Sequence, residues 1–560
     1  MKQTRHEPGS LRLDPRFRYA TPTVITPEDP LLINQVLSEI PHPRNAEAPT
    51  EYAARLGERY SSLQAAESRS QHGQFFTPPQ VARYMASLTR PSGAVRRVLD
   101  PGAGTGVLSC AFCECDLRKG QRLQLDAFEL DPLLAIYCEY ALHHARNWLL
   151  ARGIKLSFKV HVADFVLEHA RFLAPGLFDQ NAANDYDVII SNPPYFKLSK
   201  NDSRSVAASA VIHGQPNIYA IFMALSASLL SDHGVMVTIT PRSFAAGDYF
   251  RRCRQYLFSR VVPEVVHLFH SRKAAFKSAA VLQENVIIRA RKTKPRPTAT
   301  VRVSASEGPL DIDSKSARAV GLTSIIDLGS PRVIFHIPAG DSDEAIVRFV
   351  RRWTNTLHSL GMEVSTGPVV GFRAHGFLLE SPNGTPFAPL LWLQNVKHLS
   401  IQWPLGKRGK FQYMVDSSDS NYLLLPNQTY VVLRRFSAKE EERRLVAAPL
   451  LGGTLPGYKV GLENHLNYIH RPQGYIPNEQ AIGLAALLGT SLLDRYFRIS
   501  NGNTQVNATE LRALPLPTEE SLTLLGRAVK TQLGLPLDID VLCEELLEVP
   551  RRLRRFRKAG

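Results

Sequence analysis

The chain has 560 residues, 44% hydrophobic and 21% charged, which is the balance of a soluble globular protein with room for two or three domains. Its formal net charge of +16 favours a polyanionic partner, nucleic acid first, and its six cysteines are too few for a disulfide scaffold and fit a reducing, cytoplasmic setting. The polar, basic N-terminus lacks the apolar centre of a signal peptide, and the longest apolar runs, near residues 218–230 and 481–493, are too short to span a bilayer.

Residues 1–48 are rich in proline and charge, with a short helix expected over 31–40 and a longer one over 51–68. Gly73-Gln74-Phe75-Phe76-Thr77-Pro78-Pro79 breaks that helix and starts another over 80–88, with proline in its first turn. Residues 97–100 read as a strand running straight into Pro101-Gly102-Ala103-Gly104-Thr105-Gly106 and then a helix. Glycines at 102, 104 and 106 permit a tight turn and let backbone N–H groups approach a ligand at a helix N-terminus. No Gly-Lys-Ser/Thr follows, and the spacing is not that of the dinucleotide fingerprint. Cys110, Cys113 and Cys115 lie close together, but no second Cys or His pair follows at zinc spacing, so they read as small apolar residues of this helix.

A second strand over 124–128 ends in Glu129, placed as an acid that binds the two ribose hydroxyls of an adenosine. A helix over 132–150 and a third strand over 155–162 follow, ending at Ala163-Asp164-Phe165, where a carboxylate can accept from an adenine amino group. The fourth strand, Asp187-Val188-Ile189-Ile190-Ser191, stops on Asn192-Pro193-Pro194-Tyr195. Two prolines fix φ and remove donors, so this is a rigid extended loop at a strand end. It suits gripping a planar amino group: the Asn192 amide oxygen and the Pro193 carbonyl accept its two hydrogens, and Tyr195 stacks on the ring that carries it. Strands ending in Asp100, Glu129, Asp164 and Asn192, with helices between, imply a parallel α/β sheet with helices on both faces and ligands at its carboxyl edge.

In their order these motifs resemble the gamma-class amino-methyltransferases of type II restriction–modification systems, which methylate N6 of adenine in DNA using S-adenosylmethionine. The likeness spans residues 73–290. It implies a Rossmann-like methyltransferase fold. It also implies that Phe76-Thr77-Pro78 closes over the methionine part of the cofactor, and that Asp100, Gly102, Gly104, Gly106, Glu129 and Asp164 hold the cofactor. Asn192, Pro193, Pro194 and Tyr195 become the catalytic loop. Phe276 becomes the ring opposite Tyr195 on the flipped-out base, with Phe269 as its rival. A further strand over 234–240 ends in Pro241-Arg242-Ser243-Phe244, as the family's does.

From about Lys292 the pattern changes. Residues 291–298 read as a basic, proline-containing linker, and beyond them lie basic–aromatic clusters at 403–411 and 434–439, which suit phosphate and base-edge contacts. An apolar helix is expected over 481–497. The run after it resembles the end of the target-recognition domains of DNA methyltransferases and specificity subunits, and 434–444 and Gly461-Leu462-Glu463-Asn464-His465-Leu466-Asn467-Tyr468 resemble a subset of type II adenine methyltransferases. The expected organisation is an N-terminal extension (1–70), a catalytic domain (71–295), a target-recognition domain of mixed α+β type (296–520) and a basic helical tail (521–560). The resemblance implies a monomer acting on double-stranded DNA in the cytoplasm, beside a separately encoded restriction endonuclease, with no metal and no membrane. Cytosine N4, a protein glutamine amide, or a silent DNA-specificity role are the alternatives that the residues leave open.

Overall fold

The computed structural model describes residues 40–63, 76–89, 97–115, 117–174, 186–212, 214, 216–270, 284–296, 298–312, 317–330, 332–382, 384–406, 411–437, 441–501, 505–532, 538–550 and 553. Most of the helix expected over 31–40, Gly73, Phe276, residues 407–410 and, Leu553 apart, the basic run 551–558 lie outside them.

The first half is organised on one nine-stranded sheet. Its strands are β1 (Arg97–Pro101), β2 (Arg122–Glu129), β3 (Lys155–Val162), β4 (Tyr186–Ser191), β5 (Leu230–Pro241), β6 (Val262–Phe269), β7 (Asn285–Arg291), β8 (Thr300–Ser306) and β9 (Arg318–Gly321). Their order is β3-β2-β1-β4-β5-β7-β6-β8-β9. The pairings among β1 to β5 are all parallel, and β7 runs antiparallel to both β5 and β6. Leu99 and Ile189 pack on one face, and Val98, Val188 and Ile190 on the other. A strand apolar on both faces requires helices on both, which is why Val188-Ile189-Ile190 is unbroken by polar residues.

Its helices include α1 (Pro49–Leu63), α2 (Pro79–Ser87), α3 (Val107–Cys113), α4 (Pro132–Leu150), α5 (Phe165–His169) and α6 (Ile218–Leu229). Helix α4 starts where Asp131 caps it, its carboxylate accepting from Leu133 and Leu134 N–H at 2.8 and 3.2 Å, with Pro132 in the first turn. Every residue of α6 is buried, which accounts for the apolar run there. Among the described residues, no helix is long and apolar enough to cross a membrane.

The domain break expected at residue 295 falls inside the sheet. β8 pairs with β6 in parallel and β9 closes antiparallel on β8. Val301 and Val303 alternate inward with the polar positions between them, a strand pattern that the basic run before it obscured. That run is itself tied down: Arg291 Nε lies 2.7 Å from Glu264 Oε1 and Lys292 Nζ 2.7 Å from the Leu230 carbonyl.

The second half holds a four-stranded sheet, in the order Glu363–Thr366, Leu466–His470, Tyr430–Arg434 and Ala447–Leu450, and a five-stranded sheet that includes Phe387–Leu391 and Lys459–Leu462. The single helix expected over 481–497 is two, α7 (Asn478–Leu488) and α8 (Ser491–Ser500). They break at Gly489, where a side chain would strike His398, and at Thr490, whose hydroxyl accepts from Leu493 N–H at 3.2 Å and caps α8. Helix α9 (Glu519–Thr531) packs on α7 so closely that a Cβ at Gly483 or Gly526 would run into the facing backbone.

Candidate active site

The strand order reverses between β1 and β4, which lie side by side with Val98 opposite Val188 and Leu99 opposite Ile189. At such a switch point two loops leave the carboxyl edge in opposite directions and open a crevice between them. Here the loops are the glycine turn after β1 and Asn192-Pro193-Pro194-Tyr195 after β4. They abut: a Cβ built on Gly102 would lie 3.8 Å from Pro194 Cδ and 3.9 Å from the Asn192 carbonyl oxygen. Ser191 Oγ also donates to the Pro101 carbonyl at 3.1 Å, fastening one strand end to the other.

Gly102, Gly104 and Gly106 have φ of +74°, +57° and +78°, so the loop needs glycine at all three positions. Glu129, the last residue of β2, is 8% exposed; its Oε2 accepts from Gly104 N–H at 2.8 Å and its Oε1 from Asp131 N–H at 2.9 Å. Burial pushes its pKa up to about 7. Asp100 lies beneath the loop, fully buried, with Oδ2 bound by the Ser109 hydroxyl at 2.6 Å and its N–H at 3.2 Å. Burial raises it to about 7 as well, and its Oδ1 has no hydrogen-bond partner among the described residues. Asp100 therefore braces the start of α3 from below, while Glu129 stands beside the loop. Asp164 caps α5, its Oδ1 accepting from Val166 and Leu167 N–H at 2.9 and 3.1 Å, and its Oδ2 lies 3.8 Å from Arg204. Phe76 lies over the loop, 3.6 Å from where a Gly104 Cβ would be, and meets the edge of Tyr60.

The side chain of Asn192 is held at both ends. Its Nδ2 donates to Thr77 Oγ1 at 3.0 Å, and the Tyr195 hydroxyl lies 2.7 Å from its Oδ1 and 3.1 Å from the Ile239 carbonyl. A phenol has one hydrogen, and the nearer acceptor is Asn192. Burial keeps the Tyr195 pKa well above its ordinary value, so the hydroxyl stays a donor. Thr77, only 6% exposed at the start of α2, thus joins the segment before the glycine loop to the loop after β4. The sequence reading gave Tyr195 a ring to stack and Thr77 a place over the cofactor, but gave neither a bond to Asn192. A threonine and a tyrosine hydroxyl leave no periodic signal, and the partners are 115 residues apart in one case.

Of the two rings considered for the far side of the base, Phe276 lies outside the described residues. Phe269 ends β6 fully buried in the core, edge-on to His267, and has no face to offer. Sequence reading named Arg242 only within the run after the strand over 234–240 and gave it no role. It follows β5 directly and is 5% exposed; its Nη1 donates to Glu284 Oε2 at 2.9 Å and its Nη2 lies 2.6 Å from each of the last carbonyls of α8, on Arg498 and Ile499. Burial lowers its pKa only to about 10, so it remains a cation on a helix C-terminus. This one side chain bolts the second half of the chain to the carboxyl edge of the sheet. Among the described residues, no three His, Cys, Asp or Glu side chains are placed to hold a metal ion.

Residues 152–276 match the Eco57I restriction-modification methylase family. The chain is 34% identical over 491 residues to the type II methyltransferase M.BsuBI of Bacillus subtilis, covering 86% of this chain and 95% of that protein. It is 32% identical over 463 residues to the type II methyltransferase M.PstI of Providencia stuartii, covering 82% and 90%. Among solved structures it shares a fold with the type IIL restriction-modification enzyme MmeI, determined in complex with DNA, at a TM-score of 0.50 and 10% identity over 92% of this chain and 75% of that one. With near full-length likeness at this identity, the chain belongs to the type II methyltransferases.

Proposed function

We propose that this protein methylates N6 of an adenine at a specific site in double-stranded DNA, as the modification enzyme of a restriction–modification pair. The observation that carries the reading is Asn192, clamped between Thr77 and Tyr195 at the switch point of the sheet. An exocyclic amine on an aromatic ring is a poor nucleophile because its lone pair is conjugated. Asn192 Oδ1 and the Pro193 carbonyl accept its two hydrogens and bias the nitrogen towards tetrahedral geometry. An amide oxygen accepts two hydrogen bonds, so Oδ1 can serve the Tyr195 hydroxyl and an amine hydrogen together. The base is unreachable inside a duplex and must be flipped into the crevice, with the Tyr195 ring as one wall.

S-adenosylmethionine, when bound, supplies an electrophilic methyl group on sulfur. The residues fit it: Glu129 presents two carboxylate oxygens to a vicinal diol, and Asp164 presents Oδ2 to an adenine amine. Phe76 and Thr77 cover the glycine turn from the side of α2. What remains for the chain is positioning and a fixed field of acceptors. The protein acts as a monomer in the cytoplasm beside a separately encoded nuclease.

Single-molecule sequencing of DNA from cells expressing the protein, beside cells expressing Asn192→Ala, tests this. N6-methyladenine at one sequence motif, lost in the variant, is the expected result; methylation of cytosine N4, or none in either strain, overturns it.

A further inference from the structure

We propose that the turn bearing Phe372 and Arg373 is the element that enters the duplex, with Phe372 as an apolar wedge at a base step and Arg373 and the neighbouring His465 turn on the adjoining DNA backbone. The proposal rests on the reading of the substrate as duplex DNA.

Residues 367–369 run beside residues 462–466: Gly367 N–H donates to the Leu466 carbonyl at 2.9 Å, Val369 N–H to Leu462 at 3.0 Å, and Asn464 N–H back to Val369 at 2.9 Å. Both chains then turn at the same end. One turn closes where Arg373 and Ala374 N–H donate to the Val370 carbonyl, each at 2.9 Å; the other closes where Leu466 N–H donates to the Glu463 carbonyl at 2.9 Å. Two tips therefore stand side by side.

The first tip carries Phe372, 80% exposed, with the Arg373 guanidinium 5.4 Å from its ring centre. A lone exposed apolar side chain is ordinary on a protein surface. This one is backed and paired. Gly371 beneath it faces the Trp392 ring, 3.3 Å from a built Cβ, and Trp392 is anchored through its indole N–H on the Phe411 carbonyl at 2.5 Å. The second tip holds its histidine in place from below. Glu463 is 2% exposed, and both its oxygens serve His465, one 2.6 Å from Nδ1 and the other accepting the backbone N–H at 2.9 Å. Arg435 donates to the Asn464 carbonyl at 3.2 Å, and the edge of Phe436 meets the His465 ring at 4.9 Å. A buried carboxylate is costly, and here it is used to hold an exposed imidazole in one orientation.

These tips are joined by hydrogen bonds to the segment that follows α8. Arg435 N–H donates to the His465 carbonyl at 2.8 Å, Val506 N–H to the Arg435 carbonyl at 2.8 Å, and Asn467 Nδ2 to the Val506 carbonyl at 2.7 Å. Residues 505–507 follow α8, whose last carbonyls grip Arg242 at the end of β5. An exposed aromatic ring beside a guanidinium is the composition that contacts phosphate and unstacks a base step, and it is complementary to the charge of DNA.

The test uses the full chain and duplexes with and without the methylated motif. Phe372→Ala is expected to keep its melting temperature and its S-adenosylmethionine affinity while cognate-duplex affinity falls about 10- to 100-fold, much more than affinity for the scrambled duplex. Phe372→Trp should recover part of the loss. Arg373→Ala is expected to reduce the slope of log affinity against log salt by about one. Cognate affinity and selectivity within about twofold of the parent protein in Phe372→Ala would remove the proposal alone. A parent protein that selects no duplex would remove it together with the reading of the substrate.

Discussion

In the catalytic half the chemistry-bearing groups are buried or half-buried and tied down by short bonds, Glu129 to Gly104, Asp100 to Ser109 and Asn192 to Thr77. In the second half Phe372, Arg373 and His465 stand in solvent at the tips of turns, and the buried groups beneath them only hold them up. The difference follows from what each half must meet. A small cofactor and a single flipped base demand fixed acceptors in a dry crevice, where preorganisation counts most. A duplex presents a broad charged surface, and contacts to it are made from outside. Arg242, with a hydrogen bond spanning 256 residues, joins the two kinds of architecture at the sheet edge, beside the Ile337 N–H on the Ile499 carbonyl and the His336 ring on Ser500.

The largest effect is expected where the catalytic half is least replaceable. Asn192→Ala should leave the fold, cofactor affinity and duplex affinity intact while single-turnover methyl transfer falls about 100- to 1000-fold, the scale of losing one fixed partner of the reacting group. A stable Asn192→Ala protein with full turnover would sink the mechanism. The comparison itself is tested at Arg242. Arg242→Met leaves Glu284 buried without its cation and should cost about 3 kcal/mol of stability. Cofactor affinity at a temperature where the variant is folded should hold, but duplex methylation should slow, because the second half is held less firmly on the sheet. Equal loss of cofactor and duplex binding would mean that the halves are not separable in this sense.

A smaller effect is expected from the two hydroxyls on Asn192. Thr77→Val and Tyr195→Phe each remove one hydrogen-bond partner of the amide, for about tenfold in rate. Stacking survives in Tyr195→Phe, so duplex affinity should not change. If Thr77→Val alters cofactor affinity and leaves the rate untouched, its contact with Asn192 is incidental.

The first five strands, their parallel direction and the residues at their ends were legible because each rests on local pattern: a continuous apolar run, a glycine turn, an acid at the strand end. Residues 300–306 and 318–321 were not read as strands of the same sheet, since their inward valines follow a basic stretch that looks like a linker from composition alone. The break of the 481–497 helix at Gly489 needed knowledge of His398, which sits under it. Arg242 and Thr77 act on partners far away in the chain, so no spacing rule points to them, and the Tyr195 hydroxyl turns back on Asn192 three residues before it, which no apolar periodicity marks. Asp100 carried a ligand's motif in sequence, and its burial under the loop gives it a bracing role that only packing reveals.

The smallest effect concerns pH and separates the buried carboxylates from the rest of the chain. Burial raises Glu129 and Asp100 from 4.5 and 3.8 to about 7 in the folded protein. The folded state thus holds protons that the unfolded chain has already released, and the stability this contributes is complete below about pH 4 and lost as pH rises to about 7. His267 and His336 act in the opposite sense: burial lowers them to about 4 and about 3, so what they contribute is present above their ordinary 6.5 and lost as pH falls. The raw profile of the cofactor-free protein mixes both. The difference between the parent and Glu129→Gln or Asp100→Asn isolates the acids. In urea titrations from pH 5 to 8, each variant should lose part of the parent's decline, and the double variant most of it. Cofactor should restore the balance on the alkaline side, because a diol donates to the ionised Glu129 and favours that form; its affinity in the parent should rise between pH 6 and 8, and in Glu129→Gln it should not. Parallel urea profiles for parent and variants would mean that neither carboxylate carries its proton into the physiological range, and the picture of a catalytic half built on costly buried acids would have to be given up.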